Sequence, residues 1–275
     1  MSQVETGGAV AILGAGGLGQ SVARGWVEAG RFRPDQVWLC RRRVEKLSEL
    51  ADEGFAVTAD PGEALAHADT VVLAVLPQQL DALIHDIGAR IEARHRFLSL
   101  VSGVTLAQLG DRLGGSTPMV RVMPNTAVAI RESMTCLCAG DAGAELLASA
   151  TDLFDALGRT LVVAEEMMVP ATALCACGIA FFLRSVRAAS QGGIEIGFHP
   201  EEALLLAAQT AKGAAALLGS EGRHPEAEID RVTSPRGCTI AGLNEMEHQG
   251  LSSALIKGIL TSARKAEGLF PSEQD

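Results

Sequence analysis

No two of the six cysteines, at positions 40, 136, 138, 175, 177 and 238, stand in Cys-x-x-Cys spacing, so no zinc or thioredoxin-like site is expected. Two Cys-x-Cys pairs lie in apolar text, MTCLCA and ALCACGIAFF, where cysteine behaves as a small buried hydrophobe. The six histidines form no His-Glu-x-x-His helix and no Ser-His-Asp partnership, and His67, His85 and His95 read as surface positions. No long run of Lys or Arg occurs, and the net charge is -10, which disfavours a nucleic-acid partner. No uninterrupted apolar stretch reaches the roughly 20 residues of a membrane span, and Met1 to Gly8 lacks the basic start and apolar run of a secretory signal. The expectation is a soluble cytoplasmic protein with no membrane partner.

What is present is enough apolar residue, 48% of 275, for a substantial core, and enough length for two domains. Up to about Val163, apolar runs such as AVAIL, VWLC, TVVLAVL and FLSLV alternate with helical text. Continuous apolar strands between amphipathic helices predict a parallel sheet covered on both faces. Residues 1–164 are thus expected to form a doubly wound, mainly parallel α/β domain of the dinucleotide-binding type. From Glu165 the text turns alanine-rich without strand alternation, so residues 165–275 read as all-helical. Helices this uniformly apolar cannot be covered by so short a domain alone, and a second copy of the chain is the expected cover.

In AVAILGAGGLGQSVARGWVEAG, the segment Gly14-Ala15-Gly16-Gly17-Leu18-Gly19 carries Gly-x-Gly-x-x-Gly between a strand and a helix. The glycines allow a tight turn and close approach of the backbone to a pyrophosphate at a helix N-terminus. The second strand ends in Cys40-Arg41-Arg42-Arg43, with no carboxylate to hold ribose hydroxyls. Three guanidiniums instead suit a 2'-phosphate, pointing to NADP(H) rather than NAD, although they also fit a solvated helix start. Ala74, Val75, Leu76 and Pro77 follow the fourth strand, where ligands of open α/β sheets lie. Asn125, after Arg121-Val-Met-Pro, occupies the matching edge of a later strand or forms a simple turn.

Near the end, DRVTSPRGCTIAGLNEMEHQG places Thr233, Ser234, Gly237, Cys238 and Thr239 before and at a helix start. That is an anion site or a plain N-cap. With ILGAGGLG, CRRRVEKL, LAVLPQ, LVSGVTL, RVMPNT and the His224-Pro225 pair, this text resembles the pyrroline-5-carboxylate reductase family over nearly the whole chain. The resemblance implies a helical dimerisation domain interleaved with its twin, a nicotinamide hydride donor and a cyclic imino acid as acceptor. It implies that Ser234, Gly237, Cys238 and Thr239 hold the substrate carboxylate, and that the Thr239 hydroxyl lies nearest the ring nitrogen, with Thr239 and Ser234 the candidate catalytic residues.

Four departures from the family pattern stand out, three of them bordering the expected site. Leu76 stands where a lysine is common, Ala176 to Phe181 replace Gly-Ser-Gly-Pro-Ala-Tyr, Arg236 replaces a glycine, and Ala127 a proline. Arg236 adds a cation beside the carboxylate turn or points to solvent. The reading is therefore NADPH-dependent reduction of a cyclic imino acid, foremost 1-pyrroline-5-carboxylate to L-proline, by a homodimer or a ring of dimers. Reduction of a different cyclic imine and a non-catalytic NADP(H)-binding role stand beside it.

Overall fold

A computed structural model describes residues 8–114, 117–140, 144–221 and 224–268. Most of the N-terminal segment read above for a leader lies outside them. The chain forms two compact units, one of residues Met1–Ala176 with Ser262–Asp275, the other of Cys177–Thr261. The division within the helical text thus falls at 176/177.

The first unit is built on eight strands: β1 Val10–Leu13, β2 Val37–Cys40, β3 Ala56–Thr58, β4 Thr70–Leu73, β5 Arg96–Ser99, β6 Met119–Met123, β7 Ser133–Ala139 and β8 Gly158–Val162. Their order is β3-β2-β1-β4-β5-β6-β7-β8, and all neighbours run parallel except β6 and β7. Between them lie α1 Gly17–Glu28, α2 Ser48–Asp52, α3 Pro61–Ala66, α4 Leu80–Ile87, α5 Leu106–Leu113 and α6 Ala144–Asp155, with α7 Met168–Ala171 after β8. The expected doubly wound, mainly parallel sheet is present.

Strand alternation produces two cores. Val10 and Ile12 of β1 face one side with Trp26, Phe32, Leu47, Phe154 and Leu157, while Ala11 and Leu13 face the other with Leu65, Leu80, Ile87, Phe97 and Leu109. Side chains repeat with period two, so a strand buried on both faces must be apolar at every position. Trp26 anchors the first core: its ring meets Phe154 edge-on at 5.5 Å, and its Nε1 donates to the Leu153 carbonyl at 2.8 Å. Helix α1 closes at Gly30, whose φ of +71 lets its N–H reach the Val27 carbonyl at 3.0 Å. Thr105 and Gln108 exchange hydrogen bonds at the start of α5, a capping box.

Several local readings are corrected. The segment after β2 is a 3-10 turn, Val44–Leu47, followed by the five-residue α2, rather than one longer helix. Strand β3 and helix α3, which sequence pattern did not reveal, complete the sheet edge; β3 is only three residues long and half-buried. His95 is fully buried, not a surface residue: its Nδ1 accepts from the Glu92 N–H at 2.8 Å and its Nε2 lies 3.2 Å from the Leu65 carbonyl. A neutral ring with the proton on Nε2 satisfies both contacts. His67 stacks on Trp38 with ring centres 4.1 Å apart.

The second unit holds α8 Gly178–Glu195, α9 Pro200–Glu221, α10 Pro225–Val232, α11 Cys238–His248 and most of α12 Leu251–Glu267. Helices α8 and α9 approach closely where Gly193 faces Ala203; a Cβ on Gly193 would lie 3.0 Å from that of Ala203. The helical run Glu165–Glu195 is long and apolar enough, by length and composition alone, to cross a membrane.

Trp26→Ala removes the aromatic hub of the first core and its bond to Leu153. Urea denaturation should show a loss of about 3–5 kcal/mol, within the range for truncating a large buried aromatic.

Candidate active site

Strand order reverses between β1 and β4, and in open α/β sheets the crevice at such a reversal binds ligands at the carboxyl ends of the strands. The Ala74 N–H donates to the Leu13 carbonyl at 2.8 Å, and the N–H groups of Gly14 and Ala15 both donate to the Cys40 carbonyl, at 3.0 and 2.9 Å. The glycine turn, the arginine run after β2 and the Ala74-to-Pro77 loop are thereby brought to one edge of the sheet.

The glycines of this turn serve different ends. Gly14 has φ +96, and a Cβ there would meet Val75 at 2.6 Å and the Ala74 backbone at 2.8 Å, so the fold itself requires glycine. A Cβ on Gly19 would lie 3.0 Å from Ile12, so α1 can sit close over β1. Around Gly16 the nearest atom would be 3.9 Å away, and around Gly17 nothing lies within 4 Å. Protein packing explains Gly14 and Gly19; open space beside Gly16 and Gly17 fits a pyrophosphate. Helix α1 begins at Gly17 with no side chain capping it, which leaves its first N–H groups directed at that space.

Arg41 is half-exposed and Arg42 and Arg43 are exposed; among the described residues no carboxylate pairs with them. Cys40, just before them, is buried, and burial together with the nearby Asp60 and Glu63 charges pushes its thiol up to about 12. It is a protonated packing group, not a nucleophile. Leu76 is 64% exposed at the same edge. Asn125, two strands away, accepts the Ala127 N–H on Oδ1 at 3.0 Å, so its side-chain oxygen shapes the turn after β6.

A buried polar group that sequence could not single out ties three elements together. Arg121 on β6 is 4% exposed, and its Nη1 donates to Glu165 Oε1 at 2.9 Å. The same oxygen accepts the Leu106 N–H at 2.6 Å, fixing the start of α5. The two charges lie 44 residues apart and carry no local signature.

In the second unit, Ser234 to Gly237 form a tight turn in which the Gly237 N–H donates to the Ser234 carbonyl at 2.9 Å. Arg236 holds φ +60, a conformation that favours glycine at this turn position. A Cβ on Gly237 would lie 2.4 Å from the Ser234 hydroxyl oxygen. Gly237, not Ser234, is the N-cap of α11, and no side chain caps that helix. Thr233 Oγ1 instead donates backwards to the Ile229 carbonyl at 2.7 Å. Among the described residues the Ser234 and Thr239 hydroxyls have no protein partner, and Cys238 at the first helical position is exposed. The plain N-cap explanation of the hydroxyl-rich turn therefore fails, while uncapped N–H groups and two unengaged hydroxyls remain for an anion.

Residues 165–269 match the family model described as pyrroline-5-carboxylate reductase dimerisation, and residues 9–103 match one described as NADP oxidoreductase coenzyme F420-dependent. Pyrroline-5-carboxylate reductase 1 and 2 of Dictyostelium discoideum are each 46% identical to the chain. The alignment with the first covers 96% of this chain and 50% of the relative, so the chain spans half that protein's length. With the second it covers 94% of this chain and 91% of the relative. Among solved structures, a pyrroline-5-carboxylate reductase from Coxiella burnetii is 26% identical with a TM-score of 0.88, over 96% of this chain and 99% of that one. That of Plasmodium falciparum with NADP bound shares the fold, with a TM-score of 0.89 at 20% identity over 97% and 99%.

The glycine turn makes a separable prediction. Gly17→Ala should leave unfolding free energy within about 0.5 kcal/mol of the parent while dinucleotide affinity falls about tenfold or more, whereas Gly14→Ala should cost about 2 kcal/mol as well. Calorimetry of dinucleotide binding beside urea denaturation separates the two effects. Arg236→Gly should raise stability by about 0.5–1 kcal/mol, because glycine meets no steric penalty at that positive φ.

Proposed function

The chain belongs to the pyrroline-5-carboxylate reductase family, and from that premise we propose that it reduces 1-pyrroline-5-carboxylate to L-proline with NADPH. The observation that carries the reading is the uncapped start of α11, with the Ser234 and Thr239 hydroxyls unengaged beside it. A carboxylate suits that turn: the N–H groups of Gly237, Cys238 and Thr239 and the Ser234 hydroxyl hold it, assisted by the positive end of the helix dipole. The Thr239 hydroxyl orients the ring nitrogen. Arg236 is exposed in the same turn and adds positive potential to it.

When bound, NADPH supplies the hydride. Gly14 to Gly19 hold its pyrophosphate, Arg41, Arg42 and Arg43 its 2'-phosphate, and Ala74, Val75, Leu76, Pro77 and Asn125 border its nicotinamide half. A protonated cyclic imine is already electrophilic, so positioning supplies most of the rate and no catalytic histidine or cysteine is required. Residues 1–164 form the cofactor domain in this reading, and 165–275 the dimerisation and substrate domain.

The protein is a homodimer through its helical domain, as the dimerisation model over 165–269 supports. Phe182, Leu183, Ile196 and Leu205, each more than 60% exposed in the single chain, give that domain apolar surface that a second copy covers. The exposed apolar side chains of α8 belong to this surface, so no membrane and no nucleic acid enter the reading, which places the enzyme in the cytoplasm as a dimer or a ring of dimers. A second reading, reduction of a different cyclic imino acid, is favoured by Arg236 and the exposed Leu76 where the family pattern differs.

Absorbance of NADPH, followed with pyrroline-5-carboxylate and in parallel with its 2-carboxylate and six-membered analogues, decides between the two readings. Turnover of the first substrate alone supports proline synthesis; turnover of an analogue alone supports the second reading; silence with all three overturns both. Thr239→Ala should lower kcat about a hundredfold with NADPH affinity intact. Replacing Arg41, Arg42 and Arg43 by Ser should raise the KM for NADPH by about tenfold or more and leave that for NADH nearly unchanged.

A further inference from the structure

Cys136 and Cys138 alternate with Leu137 on β7, so both sulfurs face the side of the strand opposite to Leu137. There they meet Met123, Met168 and Ala171, and Cys175 packs onto the same cluster. Cys175 lies in a widened, π-type helical turn, Thr172–Cys177, inserted between α7 and α8. Such turns are uncommon and recur at functional sites. Cys136 and Cys175, both free and 39 positions apart in sequence, are thus brought into one apolar cluster.

We propose that Cys136 and Cys175 form a reversible dithiol/disulfide site that exchanges with a small-molecule disulfide. The two sulfurs have different roles. Cys175 is partly exposed and Cys136 is buried. The hydrogen bond from Cys136 brings the Cys175 thiol down to about 7, and that same bond with burial pushes Cys136 up. Of the two, Cys175 is the one whose thiolate is favoured, and the thiolate is the attacking species in exchange.

The Cys175 thiolate attacks one sulfur of the small disulfide, forming a mixed disulfide and expelling the other half as a thiolate. Cys136 then loses its proton to that leaving thiolate or to water and attacks the Cys175 sulfur, closing the Cys136–Cys175 bond and releasing the second half as thiol. Two protein thiols and one disulfide become one protein disulfide and two small thiols. The other cysteines are poorer candidates. Burial holds Cys138 up at about 11, and Cys40 lies in a separate cluster, on β2, five strands away from β7 in the sheet order. The disulfide would tie the turn at 172–177 to β7.

The full-length protein, equilibrated with oxidised and reduced glutathione, tests the site. Tryptic digestion gives residues 132–159 and 160–184 as separate peptides, and oxidation should link them with a mass loss of about 2 Da, reversed by dithiothreitol. The link should persist in a C138S/C177S variant. In C136A the reaction should stop at glutathionylated Cys175, and the pH midpoint of Cys175 alkylation, near 7 in the parent, should move upward. Absence of the linked peptide from both parent and C138S/C177S protein under oxidising conditions overturns the proposal, as does a linked peptide that survives in C136A. The parent and C138S/C177S digests suffice even if C136A does not fold.

Discussion

The close approach of the chain at Gly14 to the end of β4 is the constraint on which the cofactor site depends. Strand order can reverse between β1 and β4 only if the chain leaving β1 passes tightly over its neighbour, and here a Cβ would strike Val75 and the Ala74 backbone. The N–H of Ala74 and the carbonyl of Leu13 close the same junction. Everything placed at this edge inherits its position from that crossing: the first turn of α1, the arginines after β2 and the loop ending at Pro77. Glycine at position 14 is thus a structural requirement, while at Gly16 and Gly17 packing leaves room for a side chain.

A different constraint governs the helical unit. Its helices are too apolar for their own burial, and large side chains such as Phe182 and Ile196 remain exposed in the single chain. Hydrophobic surface of this extent has to be covered, and a family defined in part by its dimerisation domain supplies the cover. The uncapped α11 start follows a related logic at smaller scale. An orphan set of N–H groups stays available to an anion only if no nearby side chain satisfies it first; Thr233 is engaged with its own preceding turn, and no side chain caps the helix.

Much of this was legible in the sequence because it is local. Apolar runs predicted the long-core strands, Gly-x-Gly-x-x-Gly located the tight turn between β1 and α1, and the hydroxyl-rich segment at 233–239 marked the turn into α11. Short or half-buried elements escaped: β3 has three residues, too few for a period to register, and α2 is cut down by a 3-10 turn. His95 was misread because its neighbours, Arg94 and Arg96, are polar, yet its ring fills a gap beneath Leu65 that sequence does not show.

The sequence by itself determined the fold class, the place of the dinucleotide turn and the family, because each rests on residues adjacent in the chain or spaced by one helical or strand period. Only the tertiary structure decided that Arg121 reaches Glu165, that Cys136 and Cys175 share one cluster, that Gly14 and Gly19 answer to packing while Gly16 and Gly17 do not, and that Gly237 rather than Ser234 is the N-cap of α11. Those outcomes depend on which side chains the sheet order and the helix ends bring within bonding distance. Such proximity between remote segments is a property of the packed backbone, with no counterpart in local sequence spacing.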